Sequence, residues 1–195
     1  LNPKDIKSLN SRALNKRFLK DYQGAIDDLT KAIELNPKAI GPYIDRAKSK
    51  EGLKDYQGAI SDYTKVIELI PKASGPYFSR AKSKEGLKDY QGAIKDYSKA
   101  LEINPENSTI LARRGYLKGF VFNDYSGAIE DFTKAIKLNP IFLESYFNRG
   151  IAKQRLGKMK EACFDWRKAY SLTEIQFPNH PNTSAINQAI KKSCE

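Results

Sequence analysis

The chain has 195 residues, 40% of them hydrophobic and 29% charged, with a formal net charge of +11. No apolar run approaches the roughly 20 residues that span a bilayer, so no membrane segment is expected. Two cysteines, Cys163 and Cys194, are too few for a disulfide framework and lack the clustered spacing of a metal site, so neither metal nor cofactor is expected.

In chain order, Leu1-Asn2-Pro3 copies a later segment, Leu35-Asn36-Pro37, so residues 1–5 read as the remnant of a preceding unit. There is no initiator Met and no apolar leader at this end. A cytoplasmic location is therefore a default, with a fragment or a removed leader left open.

From Ile6 onward a period governs the chain. Asp21-Tyr22-Gln23-Gly24-Ala25-Ile26 recurs at Asp55, at Asp89 and, as Asp-Tyr-Ser-Gly-Ala-Ile, at Asp124, with spacings of 34, 34 and 35. Ala25, Ile26, Leu29, Ala32, Ile33 and Leu35 fall at offsets 0, 1, 4, 7, 8 and 10, the apolar stripe of an amphipathic helix. That helix stops at Asn36-Pro37, because the residue before proline is pushed out of the α region. In the next unit Tyr43 to Leu53 is read as a first helix, joined to the second by a turn at Lys54-Asp55. Each unit is thus a helical hairpin, and five are assigned: 6–39, 40–73, 74–107, 108–142 and 143–172. Small residues recur at fixed places (Ala13, Ala47, Ala81, Gly115, Gly150; Ala25, Ala59, Ala93, Ala128, Ala162), where helices must approach closely. Such short hairpins bury their stripes only by stacking on neighbours.

In the fifth unit Cys163 takes the place of an isoleucine and reads as a buried apolar thiol. Residues 173–195 read as a linker, broken by Phe177-Pro178-Asn179-His180-Pro181, and a capping helix. That helix starts at Thr183 or Ser184, whose hydroxyl would cap it, and carries Ile186, Ala189 and Ile190; a partner-docking tail is the alternative.

The third unit, with Tyr77, Ala81, Tyr90, Ala93, Tyr97, Ala100 and Pro105, resembles the tetratricopeptide repeat, and the resemblance covers residues 6 to about 172. Departures are Leu9 and Leu111 for an aromatic and Met159 for Tyr. The usual turn glycine stands in place only at Gly157, with Gly52 and Gly86 two residues early. The resemblance implies an all-α, right-handed superhelical solenoid, with first helices lining a concave groove and second helices forming the convex back. It implies protein binding and no catalysis.

Each unit carries an Arg and a Lys four apart, beginning with Arg12 and Lys16, and one Asp on its second helix. At about 100° per residue the basic pair lies beside the buried face. A half-buried cation needs a partner, so Arg12, Arg46, Arg80, Arg114 and Arg149 are expected to pair with Asp28, Asp62, Asp96, Asp131 and Asp165 in a structural ladder.

On the open side the same wheel places Asn10, Leu14, Ile44, Lys48, Phe78, Lys82, Tyr116, Phe147 and Ile151, with Lys7, Arg17, Glu51, Glu85, Ala112, Glu144 and Gln154. Four positive and three negative charges make the inferred groove nearly neutral. The apolar row Ile44, Phe78, Tyr116 and Phe147, flanked by Lys48 and Lys82, suits a peptide or helix with an apolar anchor and a neighbouring acid; packing alone is the competing reading. The Lys and Asn clamp by which some family members hold acidic chaperone tails is not matched, since Asn10 and Leu14, Ile44 and Lys48, or Phe78 and Lys82 stand in its place.

The leading function is therefore a protein-interaction scaffold or assembly adaptor. The alternative is nucleic-acid or other polyanion binding through convex lysines Lys31, Lys65, Lys99, Lys134 and Lys168. Self-association through exposed repeat ends is a further possibility. No enzyme is expected: the one histidine, His180, lies in a proline-flanked loop, and no nucleophile is paired with a base.

Overall fold

The computed structural model describes residues 3–176 and 181–194; these are helical with no strand among them. The helices are α1 (Pro3–Phe18), α2 (Tyr22–Leu35), α3 (Ile40–Gly52), α4 (Tyr56–Leu69), α5 (Ser74–Gly86), α6 (Tyr90–Ile103), α7 (Ser108–Phe120), α8 (Tyr125–Leu138), α9 (Leu143–Arg155), α10 (Met159–Gln176) and α11 (Thr183–Ser193). They divide into two compact units, Leu1–Ile103 with α1 to α6 and Asn104–Glu195 with α7 to α11. Within each unit every helix packs on the next in sequence.

The recurring Asp-x-x-Gly opens the second helix of the first four pairs. Asp21, Asp55, Asp89 and Asp124 each accept a hydrogen bond of 2.9 Å from the amide of the glycine three residues on. This satisfies one of the free N–H groups at a helix start. The carboxylate comes close to the glycine: a β-carbon on Gly58 would fall 2.1 Å from Asp55 Oδ2, so the carboxylate would have to shift to admit one.

The hairpin cores are small and dry. Ala13, Ala25 and Leu29 close the first pair, and Ala47, Ala59 and Tyr63 the second. Between pairs, Ile33, Tyr43 and Val66 share one cluster. In the second unit Ala128, Phe132 and Ala152 repeat the arrangement. At Gly150 an added β-carbon would lie 2.4 Å from Trp166 Nε1, so the small residue there admits the indole.

Three boundaries differ from the sequence reading. Pro3 to Asp5, read above as the remnant of a preceding unit, form the first turn of α1; proline suits a first helical position, where its missing N–H has no partner to lose. Helix α10 runs on to Gln176, past residue 172. The last helix does start at Thr183, but its cap is Asn182 and not a hydroxyl residue. Leu1, Asn2, Phe177, Pro178, Asn179 and His180 lie outside the described residues.

Candidate functional site

Each helix pair is pinned by a carboxylate with two cations. Arg46 Nη2 lies 2.7 Å and Lys50 Nζ 2.8 Å from the two oxygens of Asp62, whose side chain is 3% exposed. Arg12 and Lys16 meet on Asp28, Arg80 and Lys84 on Asp96, Arg114 and Lys118 on Asp131, and Arg149 and Lys153 on Asp165. The arginine contacts are bidentate, through Nε and Nη2, the geometry that holds a carboxylate most firmly. Sequence reasoning placed the lysines beside the buried face without giving them a partner. The signal was present, because one Asp per unit faces an Arg and a Lys one turn apart.

A second omission is the threonine that links one pair to the next. Arg46, Arg80 and Arg149 donate from Nη1 to the hydroxyls of Thr30, Thr64 and Thr133 at 3.0 Å. The same guanidinium groups sit 5.6 to 5.7 Å from the rings of Tyr43, Tyr77 and Tyr146. The Arg12 guanidinium holds the Asp28 carboxyl at about 2, against burial, which alone would raise it, and with further help from Lys16. Except at Arg12, whose side chain is 59% exposed, these cations are largely taken up by packing on their aspartates.

In the first unit the remaining side of α1, α3 and α5 carries a mixed surface. Leu14 is 43% exposed, Lys48 and Lys82 are exposed, and Asn10, Ile44 and Phe78 are half-buried. Ile44 packs on the Ile33–Tyr43–Val66 cluster, and Phe78 on Tyr97, with ring centroids 5.9 Å apart. The glutamates of this surface are engaged from below: Glu51 accepts from Ser83 at 2.6 Å and from Tyr63, and Glu85 accepts from Tyr97. Burial, with the adjacent Glu51 charge, pushes the Tyr63 phenol well above its ordinary value, so it stays a donor. Asp45 lies 3.3 Å from Arg17 and 3.9 Å from Lys48.

The second unit is different. Tyr116 is 48% exposed and stacks on Phe120 at 5.1 Å. Phe147 and Ile151, expected on an open groove, are half-buried against the cluster of Ala162, Cys163 and Trp166, on which Ala189, Ile190 and Cys194 also pack. Helix α11 reaches this cluster because its Ile186 is fully buried among Leu143, Tyr146, Ala169 and Leu172, which brings its last turn over α9.

Cys163 is also corrected. It is joined to Cys194 in a disulfide spanning 31 residues, not left as a free apolar thiol. Nothing in the spacing of the two cysteines revealed this, since the bridge depends on the direction in which α11 folds back. Disulfides persist in oxidising compartments and are rare in the reducing cytosol, so the cytoplasmic default is not carried forward.

On the other face of the first unit Lys65 and Lys99 lie 2.9 Å from Glu68 and 2.7 Å from Glu102, while Lys31 is exposed. In the second unit Lys134 and Lys168 are exposed. Among the described residues no group of three or more His, Cys, Asp or Glu is placed to hold a metal, and no helix is long and apolar enough to cross a membrane.

Family models of the tetratricopeptide repeat match residues 6–39, 41–72, 76–107 and 143–175. No curated protein matches the sequence significantly. Among solved structures, the MamA protein superposes with a TM-score of 0.82 at 20% identity, covering 92% of this chain and 97% of its own. A MamA from Desulfovibrio magneticus RS-1 gives 0.80 at 19% identity, over 88% and 97%. YrrB, described as a repeat protein with an unusual peptide-binding site, gives 0.75 at 15% identity, over 92% and 90%. At these identities the likeness is one of fold.

Proposed function

The chain belongs to the tetratricopeptide repeat family, and on that premise we propose that it is a protein-interaction scaffold whose first unit docks a peptide on α1, α3 and α5. The observation that carries this reading is the chemistry of that surface. Apolar side chains at Leu14, Ile44 and Phe78 are only partly covered, and the exposed cations Lys48 and Lys82 stand beside them. The basic pairs that could have attracted a polyanion are closed on buried aspartates. An apolar anchor with an Asp or Glu next to it fits such a surface: the anchor supplies desolvation energy, and the acid supplies orientation. The peptide-binding site of YrrB is consistent with this use of the fold.

In the second unit, Tyr116 offers an exposed ring, whereas Phe147 and Ile151 pack on the Ala162–Cys163–Trp166 cluster that α11 also joins. The docking surface is therefore assigned to Asn10, Leu14, Ile44, Lys48, Phe78 and Lys82 alone. Selection of a random peptide library displayed on phage tests it. Enriched sequences should pair an apolar residue with an adjacent acid, and the Lys48→Glu/Lys82→Glu variant should lose them. Equal enrichment on both proteins would overturn the assignment.

A further inference from the structure

Among the described residues of the second unit, the surface beside the disulfide takes no part in the proposed peptide docking. Met159, Lys160, Cys163, Arg167, Ser193 and Cys194 line an open cleft of about 440 Å³. That is within the roughly 300–1,000 Å³ of small-molecule sites. Among the described residues its lining holds two cations, Lys160 and Arg167, and no carboxylate. Lys160 and Arg167 stand three residues before and four after Cys163 on α10, so all three share one helix face. Arg167 Nη2 donates to the Cys194 carbonyl at 3.3 Å, which fixes the guanidinium beside the bridge. The two bridged residues differ in access: Cys163 is buried, and Cys194 is half-exposed at the end of α11.

We infer that the Cys163–Cys194 bridge is a thiol-exchange site, at which a small anionic thiol enters the cleft, attacks Cys194 and unlatches α11. The thiolate forms a bond to Cys194 Sγ as the Cys163–Cys194 bond breaks, and the electron pair leaves on Cys163 Sγ. Cations lower thiol pKa values, and a better-stabilised thiolate leaves faster; Lys160 and Arg167 line the same cleft as Cys163. A second thiol then attacks the mixed disulfide. It releases Cys194 as a thiol and forms the small molecule's own disulfide, so two thiols supply the two electrons and two protons that reduce the bridge.

The latch has something to hold. Helix α11 has only 11 residues, below the length at which isolated helices persist in water, and it is anchored chiefly by Ile186. Opening the bridge leaves it held by its apolar contacts and by two polar ones at its end, from Gln154 to Ser193 and from Arg167 to the Cys194 carbonyl.

The test uses the full oxidised chain, with glutathione as the anionic thiol and cysteamine as the cationic one, at equal thiolate concentration. The expected product is a mixed disulfide on Cys194, mapped by mass spectrometry. Glutathione should react about tenfold faster than cysteamine, in the range of electrostatic steering. That ratio should fall to near one in Lys160→Gln/Arg167→Gln, whose replaced side chains are exposed. Amide exchange in α11 should accelerate by up to about 500-fold after reduction, since closing a loop of this length restrains the open state by about that factor. An adduct on Cys163, equal rates for the two thiols, a ratio unmoved by the double variant, unchanged exchange in α11, or two free thiols in the untreated protein would each overturn the inference.

Discussion

The ring of Tyr22 fills the space where a β-carbon of Gly52 would stand: built on the glycine, that atom falls 2.6 Å from Tyr22 Cε1 and 2.7 Å from Cζ. Tyr56 meets Gly86 in the same way, at 2.7 Å. These glycines serve helix approach between successive pairs, and the turns after them are made by other residues. Gly52→Ala should therefore cost about 1–3 kcal/mol through overpacking, whereas Gly41→Ala, with nothing within 4 Å, should be neutral or stabilising. Urea unfolding of the two variants checks this; equal stability would contradict it.

The turns carry the complementary cost. Lys20, Lys54 and Lys88 have φ of 63°, 61° and 62°, the left-handed region that a β-carbon disfavours. Lys54→Gly should raise stability by up to about 1 kcal/mol, the relieved strain being partly offset by the greater freedom of glycine in the unfolded chain. A lowered midpoint would show that the lysine makes contacts that outweigh its strain.

Asp62 neutralises two cations whose side chains are each 17% exposed. Asp62→Ala should thus cost about 3–5 kcal/mol, because it leaves Arg46 and Lys50 without their carboxylate. Lys65→Ala, which breaks a pair exposed on both sides, should cost less than about 1 kcal/mol. Thermal melts of the two variants separate the cases.

The acid limb of stability follows from Asp28. Its carboxyl titrates at about 2 in the folded chain, below its ordinary value near 3.8. A depressed carboxylate contributes stability that is complete above the unfolded value and lost as pH falls through the folded one. The advantage of the wild type over Asp28→Asn should be constant above about pH 5 and shrink between about pH 4 and pH 2. Melting temperatures across that range measure it, and a gap that did not narrow would contradict the assignment.

The helix pairs were legible because a repeat multiplies every signal: the Asp-x-x-Gly start, the apolar stripe and the closing proline each recur in register. The contacts of Arg46 with Asp62 could be reasoned from the wheel, since a cation on a buried face needs a carboxylate. What was not legible depends on tertiary path. The two cysteines are 31 residues apart, and only the fold-back of α11 brings them together. Phe147 and Ile151, which a wheel drawn for α9 alone leaves open, pack on the Ala162–Cys163–Trp166 cluster of α10. The early glycines were visible but not interpretable, since Tyr22 and Gly52 belong to different pairs and meet only on stacking.

The docking surface of the first unit is the central claim, and amide chemical-shift mapping with a phage-selected peptide tests it most directly. The account predicts that shifts concentrate on Leu14, Ile44, Lys48, Phe78 and Lys82 and vanish in Lys48→Glu/Lys82→Glu. Shifts gathered instead around Lys31, Lys65 and Lys99, or undiminished in the double variant, would contradict it.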